Sequence, residues 1–154
     1  MQLTLVLHNI LRWAVLLFGI WAIINAISGI SSNRKFTGSD KKINLFFMIS
    51  CDIQLVIGLI LYFTGPYFAM LKSDAGVVMK NSTLRFFAVE HISMMVIAWI
   101  LVHVGISAIK KADTDAKRYK KMAWFFGIAL LIIFASIPWP FREAIARPLI
   151  PALN

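Results

Sequence analysis

Cysteine is almost missing from this chain: Cys51 stands alone, so an internal disulfide, a cysteine-rich metal cluster and a CxxCH-type haem attachment are all excluded. Acidic side chains are scarce, seven against sixteen Lys and Arg, and there are only three histidines. Any metal or cofactor must therefore be held through histidine. Missing too are a nucleophile elbow, a phosphate-binding glycine loop, an HExxH helix and a soluble catalytic domain. No hydrolase or transferase site is present in the pattern. Charge itself is thin: 15% of the 154 residues are charged and 60% are hydrophobic, with a mean hydropathy of +0.78. That is too apolar for an ordinary soluble domain of this size, and a membrane is the solvent that fits.

Four apolar runs are present, Leu3 to Ile30, Ile43 to Thr64, Leu84 to Ile109, and Met122 to Ile137 with Trp139 at its edge. Each approaches the roughly 20 residues that a helix needs to cross about 30 Å of hydrocarbon. None alternates with period two, and lipid leaves open sheet edges unsatisfied, so helices are expected rather than a barrel. The fold class expected is all-α, an integral membrane four-helix bundle forming one domain over residues 1–154, with no internal repeat or low-complexity segment. Met1 to Asn9 lacks the positive n-region of a signal peptide, and the run behind it is long enough to span, so it is read as the first helix.

The formal charge of +9 is not a nucleic-acid signature, because the basic residues lie mainly between the apolar runs. Arg34, Lys35, Lys41 and Lys42 occupy the first connection, and Lys110, Lys111, Lys117, Arg118, Lys120 and Lys121 occupy the third. Lysine and arginine concentrate on cytoplasmic loops. The connection Gly65 to Thr83 carries only Lys72 and Lys80, and no charged side chain precedes the first run. The expected topology is N-out and C-out, multi-pass in a bacterial inner membrane. Pro138 and Pro140 bracket Trp139, which suits a helix stop with an interfacial aromatic anchor, followed by a short outer tail from Phe141 to Asn154.

Ionisable groups at membrane depth are rare and usually face a bundle interior. Here they are His8, Arg12, Asp52, Glu90, His91 and His103. His8 and His91 fall at similar depth in the outer half, on helices that both run inward. His8 and Arg12 are four apart on one face, continued by Gly19, Ala22, Ala26 and Gly29. The His91 face continues through Met95, Ala98, Val102 and Gly105. Small side chains admit either a close helix or a flat ligand. Two readings follow. In one, a b-type haem sits between the helices with His8 and His91 as axial ligands and Arg12 meeting a propionate; in the other, each histidine simply hydrogen-bonds a neighbouring helix or sits at headgroup level.

His103 lies about 18 Å along the helix from His91 and about 120° around it, so it cannot share that face. It is a candidate for a second haem, but Asp52 is the nearest polar group by depth and a pair between them, structural or proton-relaying, fits better. Glu90 and Arg12 stand at similar depth and could lower each other's desolvation cost by pairing. Cys51, Gln54, Gly58 and Tyr62 share a face that could touch a quinone head group or pack on the next helix. Met94 and Met95 could reach haem iron, though methionine in an apolar helix is usually packing.

The strings HNILRW (His8 to Trp13), RKFT (Arg34 to Thr37), DIQLVIGLILYF (Asp52 to Phe63), RFFAVEH (Arg85 to His91) and IPWPF (Ile137 to Phe141), with His103, resemble those of small four-helix membrane proteins from the Bacteroidetes lineage commonly labelled cytochrome b-like. The resemblance runs over nearly the whole chain. It implies haem b binding and membrane electron transfer, with His8, His91 and His103 as matching positions. The function expected first is a haem b electron-transfer protein or subunit that passes electrons between membrane quinone and a partner, with other subunits or a homo-oligomer around it. Two other functions remain open on the residues: a cofactor-free accessory subunit of a larger inner-membrane complex, and a proton or ion relay through Asp52, Glu90, His91 and His103.

Overall fold

A computed structural model describes residues 2–149. Among the described residues the secondary structure is helical throughout: α1 (Gln2–Ser31), α2 (Gly38–Thr64), α3 (Pro66–Ser73), α4 (Ala75–Lys80), α5 (Ser82–Arg85), a π-helical turn (Phe86–Glu90), α6 (His91–Lys110) and α7 (Asp115–Ser136). The α5 segment, the π turn and α6 run on as one helix, so four helices are long and apolar enough to cross a membrane. They form a ring in which α1 lies between α2 and α7, and α6 lies between α7 and α2. The chain is an all-α, multi-pass membrane bundle.

Helix ends sit where capping chemistry puts them, beyond the apolar runs. The second helix starts at Gly38, ahead of Ile43, because Asp40 reaches back to accept from the Thr37 N–H at 2.6 Å and its hydroxyl at 2.7 Å, satisfying donors that a helix start leaves open. The last helix starts at Asp115, ahead of Met122, with the Thr114 hydroxyl accepting from the Lys117 N–H at 3.3 Å. Hydropathy marks only the part of a helix that meets hydrocarbon, whereas a cap marks where the backbone turns. At the far end of α1, Asn33 takes a left-handed φ of 49°, a conformation in which asparagine commonly stops a helix.

The basic end of the bundle is clasped by one buried carboxylate. Asp40 is 1% exposed, accepts from Asn25 at 2.8 Å and pairs with Arg34 at 2.9 Å. Arg34 also donates to the Asn25 side chain and lies over the Tyr119 ring. The RKFT string thus joins α1, α2 and α7. Beneath it, Gly29 faces Tyr119 so closely that an added Cβ would lie 2.4 Å from the ring. Gly19 and Gly105 make comparable approaches to Leu130 and Phe125. Apolar burial gives no preference between a neighbouring helix and lipid, so packing within a bilayer depends on such close contact. In this half of the bundle the small-residue stripes serve helix packing.

The other end carries both described ends of the chain and is roofed. Between α2 and α5 the connection folds into α3, opened by Pro66 at its first turn, and α4, whose start is capped by Asp74 accepting from Val77 at 2.9 Å. The segment after α7 turns back over the bundle, with the Thr83 hydroxyl donating to the Ala144 carbonyl at 2.6 Å and Arg147 donating to the Tyr67 hydroxyl at 3.0 Å. The expected outer tail is therefore part of the fold as far as Leu149; its remainder, 150–154, lies outside the described residues. Trp139 differs from the expected interfacial anchor. It is buried between Trp13, Phe134 and Phe141, and its indole N–H donates to the Phe134 carbonyl at 2.9 Å.

Candidate functional site

Under that roof the four spanning helices part around a cavity of about 370 Å³, within the size of sites that hold small molecules. Its walls are mostly apolar, and His8, Asn9, Arg12, Gln54 and His91 are among the residues that bring polar groups. Met95, Ala98 and Trp99 from α6 line it lower down, and Tyr67, Arg147 and Pro148 close it above. The His8 and His91 stripes thus do two things along their length: close packing at the basic end, and a shaped space at the roofed end.

The two histidine rings meet across this space, with centroids 6.4 Å apart and planes at 74°. His91 is held by its Nδ1, which lies 2.8 Å from the Ser136 carbonyl oxygen. A carbonyl can only accept, so that nitrogen carries the hydrogen and Nε2 keeps its lone pair. A backbone carbonyl of this kind is a usual orienting partner of a metal-bound histidine. His8 packs on α2 where Gly58 makes room: a Cβ there would lie 3.1 Å from His8 Cε1. The Gln54 amide donates to the His8 carbonyl at 2.9 Å, fixing α2 against α1 at this level.

Local backbone geometry sets the direction of His91. The His91 N–H bonds to the Phe86 carbonyl, five residues back, so one extra residue is taken into the turn that precedes it. A π turn rotates everything upstream by about 100° relative to a continuous α-helix. It also leaves the Ala88 carbonyl able to accept from the Tyr62 hydroxyl at 2.9 Å. Turns of this kind recur at functional sites. No residue type in Phe86–Glu90 announces one, so the sequence offered no signal for it.

Four buried side-chain polar atoms lack a hydrogen-bond partner among the described residues, and three of them, His8 Nδ1, Arg12 Nε and Gln54 Oε1, belong to residues of the cavity wall. Each unmet buried group costs about 1–3 kcal/mol. These three lie close together, in residues contributed by α1 and α2. Arg12 is 7% exposed, donates through Nη2 to the Leu149 carbonyl at 2.8 Å, and lies over the rings of Trp13 and Trp139.

The pairing open to Arg12 and Glu90 by depth does not form. Glu90 pairs instead with Arg85 at 2.6 Å, half-exposed at the roofed end, because the π turn carries it away from the α1 side and the returning tail offers Arg12 a carbonyl. His103 does not join the cavity set. It pairs with Asp52 at 2.8 Å, and Trp99 donates to the same carboxylate oxygen at 2.6 Å. Both partners of this pair are about one-third exposed on the outer side of the α2–α6 groove, 35% and 36%. Among the described residues, no chain of hydrogen bonds links Glu90 or His91 to Asp52 and His103. Met94 accepts from the Ser136 hydroxyl at 3.1 Å, leaving Met95 as the methionine of the cavity wall. Among the described residues, no three His, Cys, Asp or Glu side chains gather as metal ligands.

Comparison with known proteins gives no match for this chain, whether to a family model, a curated protein or a solved structure.

Proposed function

We propose that this chain is a b-type haem protein that transfers electrons within a bacterial inner membrane, with both termini outside, as its resemblance to small cytochrome b-like membrane proteins implies. The observation that carries the reading is the facing of His8 and His91 inside an apolar cavity. Their rings stand 6.4 Å apart, and these two imidazoles are the side chains that would hold a haem iron between them.

The residues present fit such a group. His91 gives its Nδ1–H to the Ser136 carbonyl, which leaves Nε2 as its free lone pair, and His8 lines the same cavity from α1. Arg12 lines the same cavity and is the cation that would meet a propionate. A bound haem supplies one-electron chemistry, and axial ligation and burial tune its potential. The chain's own part is to orient two imidazoles, exclude water with Met95, Ala98 and Trp99, and neutralise a carboxylate at the roofed end. Quinone is the proposed exchange partner on the membrane side, with other subunits or further copies of the chain completing the path.

The test is a reduced-minus-oxidised visible spectrum of protein purified in mild detergent after expression with ample haem. A sharp haem signal that is lost in both His8→Ala and His91→Ala supports the reading. A colourless wild-type protein overturns it, and then the accessory-subunit reading takes its place.

A further inference from the structure

Asp52 lies near the middle of α2, a helix of 27 residues, so its carboxylate stands close to the centre of the hydrocarbon. It and His103 are about one-third exposed on the bundle's outside. Hydrocarbon offers neither of them a hydrogen bond. A polar pair at this depth is ordinarily turned inward or covered by protein, and here the bundle itself does not cover it.

The unmet atoms say what would. Asp52 Oδ1 takes both internal donors, Trp99 Nε1 and His103 Nε2. Asp52 Oδ2 and His103 Nδ1 have no partner among the described residues. The partly exposed pair thus offers one unmet acceptor and one unmet imidazole nitrogen, and a two-fold rotation about the membrane normal can set Asp52 of one copy opposite His103 of the other. One proton shared between each facing Oδ2 and Nδ1 satisfies both atoms, whichever atom it resides on, and leaves each copy's pair neutral. Such self-complementarity is the property of an isologous interface. The surroundings suit a helix face within lipid: Ile49 and Val56 flank Asp52 on α2, Ile100 flanks His103 on α6, and all three are exposed, with the small Ser107 one turn further along.

We propose that the α2–α6 face docks against the same face of a second copy of this chain, with Asp52 and His103 of the two copies meeting across a two-fold axis. The inference is independent of whether haem is bound.

The experiment reconstitutes the full chain in phosphatidylcholine vesicles at low protein-to-lipid ratio, with donor and acceptor dyes on separate copies attached through Cys51→Ser/Ser73→Cys. Energy transfer is expected, and Asp52→Leu/His103→Leu should weaken association about tenfold, the scale of interhelical polar contacts in membranes. Cysteine crosslinking checks the face without removing the pair: in the Cys51→Ser background, copies carrying Val56→Cys should link to copies carrying Ile100→Cys, whereas Leu131→Cys on α7 should link to neither. Absence of transfer for the unsubstituted face overturns the proposal and leaves another protein or a polar lipid as the cover. Transfer unchanged by the double substitution, or crosslinking through Leu131→Cys instead, overturns it as well.

Discussion

Gly29→Ala should destabilise the protein even though alanine is the better helix former. The added Cβ would lie 2.4, 2.5 and 2.5 Å from three atoms of the Tyr119 ring, against an optimal carbon–carbon separation of about 3.5–4.0 Å. The ring has nowhere to go. Tyr119 is 0% exposed, its hydroxyl donates to the Lys35 carbonyl at 3.2 Å, and Phe36 and Arg34 pack on it at 5.2 and 5.0 Å. Relief requires α1 and α7 to separate by about 1 Å, and overpacking of this kind costs about 1–3 kcal/mol. Replacing glycine within a helix returns about 1 kcal/mol. With three contacts this short and the ring boxed in, the steric term falls at the upper end of its range and wins, for a net loss of about 2 kcal/mol. Gly127→Ala is the control, because its Cβ would meet only Ile23 Cδ1 at 3.8 Å, an ordinary contact, so the helical gain should survive. Unfolding in mixed micelles by dodecyl sulfate titration, followed by tryptophan fluorescence, measures both. A Gly29→Ala protein as stable as the wild type would refute the reasoning. So would failure of Tyr119→Leu to relieve the Gly29→Ala defect, since residues in contact should be coupled.

Gly58→Val should push His8 off α2, because even the first added carbon stands 3.1 Å from its ring; if the proposed haem is bound, its difference spectrum is expected to fall sharply while helical circular dichroism is retained. Asp40→Ala removes the acceptor shared by Asn25, Arg34 and Thr37 and should cost about 2–3 kcal/mol, below the loss for a fully buried pair because Arg34 is partly solvated; a mixed-micelle midpoint equal to the wild type's would contradict the clasp. Arg147→Ala removes the stacking on Phe87 at 4.6 Å and the bond to Tyr67. It should loosen the roof by about 1 kcal/mol, or about fivefold in opening, read as faster reaction of Cys51 with a small thiol reagent entering through the cavity.

Much of the architecture is one-dimensional information. A stretch of twenty apolar residues has few alternatives to a spanning helix, and a 3.6-residue period is enough to put His8, Arg12, Gly19, Ala22, Ala26 and Gly29 on one stripe. The structure buries Arg12 and the four small residues of that stripe. The shared depth of His8 and His91 was likewise legible, since two helices running the same way from one surface bring equivalent positions level, and so was the affinity of Asp52 for His103. None of this requires knowing which helix lies beside which.

Tertiary structure decided the partners. Whether the small stripes admit a helix or leave a space depends on the separation of the axes, which changes along the bundle, so close packing and a cavity both occur on the same stripe. Arg12 was free to choose Glu90 by depth alone, but the π turn of Phe86–Glu90 re-aims the acidic side chain toward Arg85 and the returning tail brings the Leu149 carbonyl to Arg12. Local composition cannot reveal either event. A π turn is stabilised by what packs around it, here the Tyr62 hydroxyl on the Ala88 carbonyl, and the tail is held by contacts more than sixty residues away in sequence. Hydropathy fixed how many times the chain crosses and in what order; side-chain contacts between crossings fixed which polar groups face the cavity and which are left on the outside.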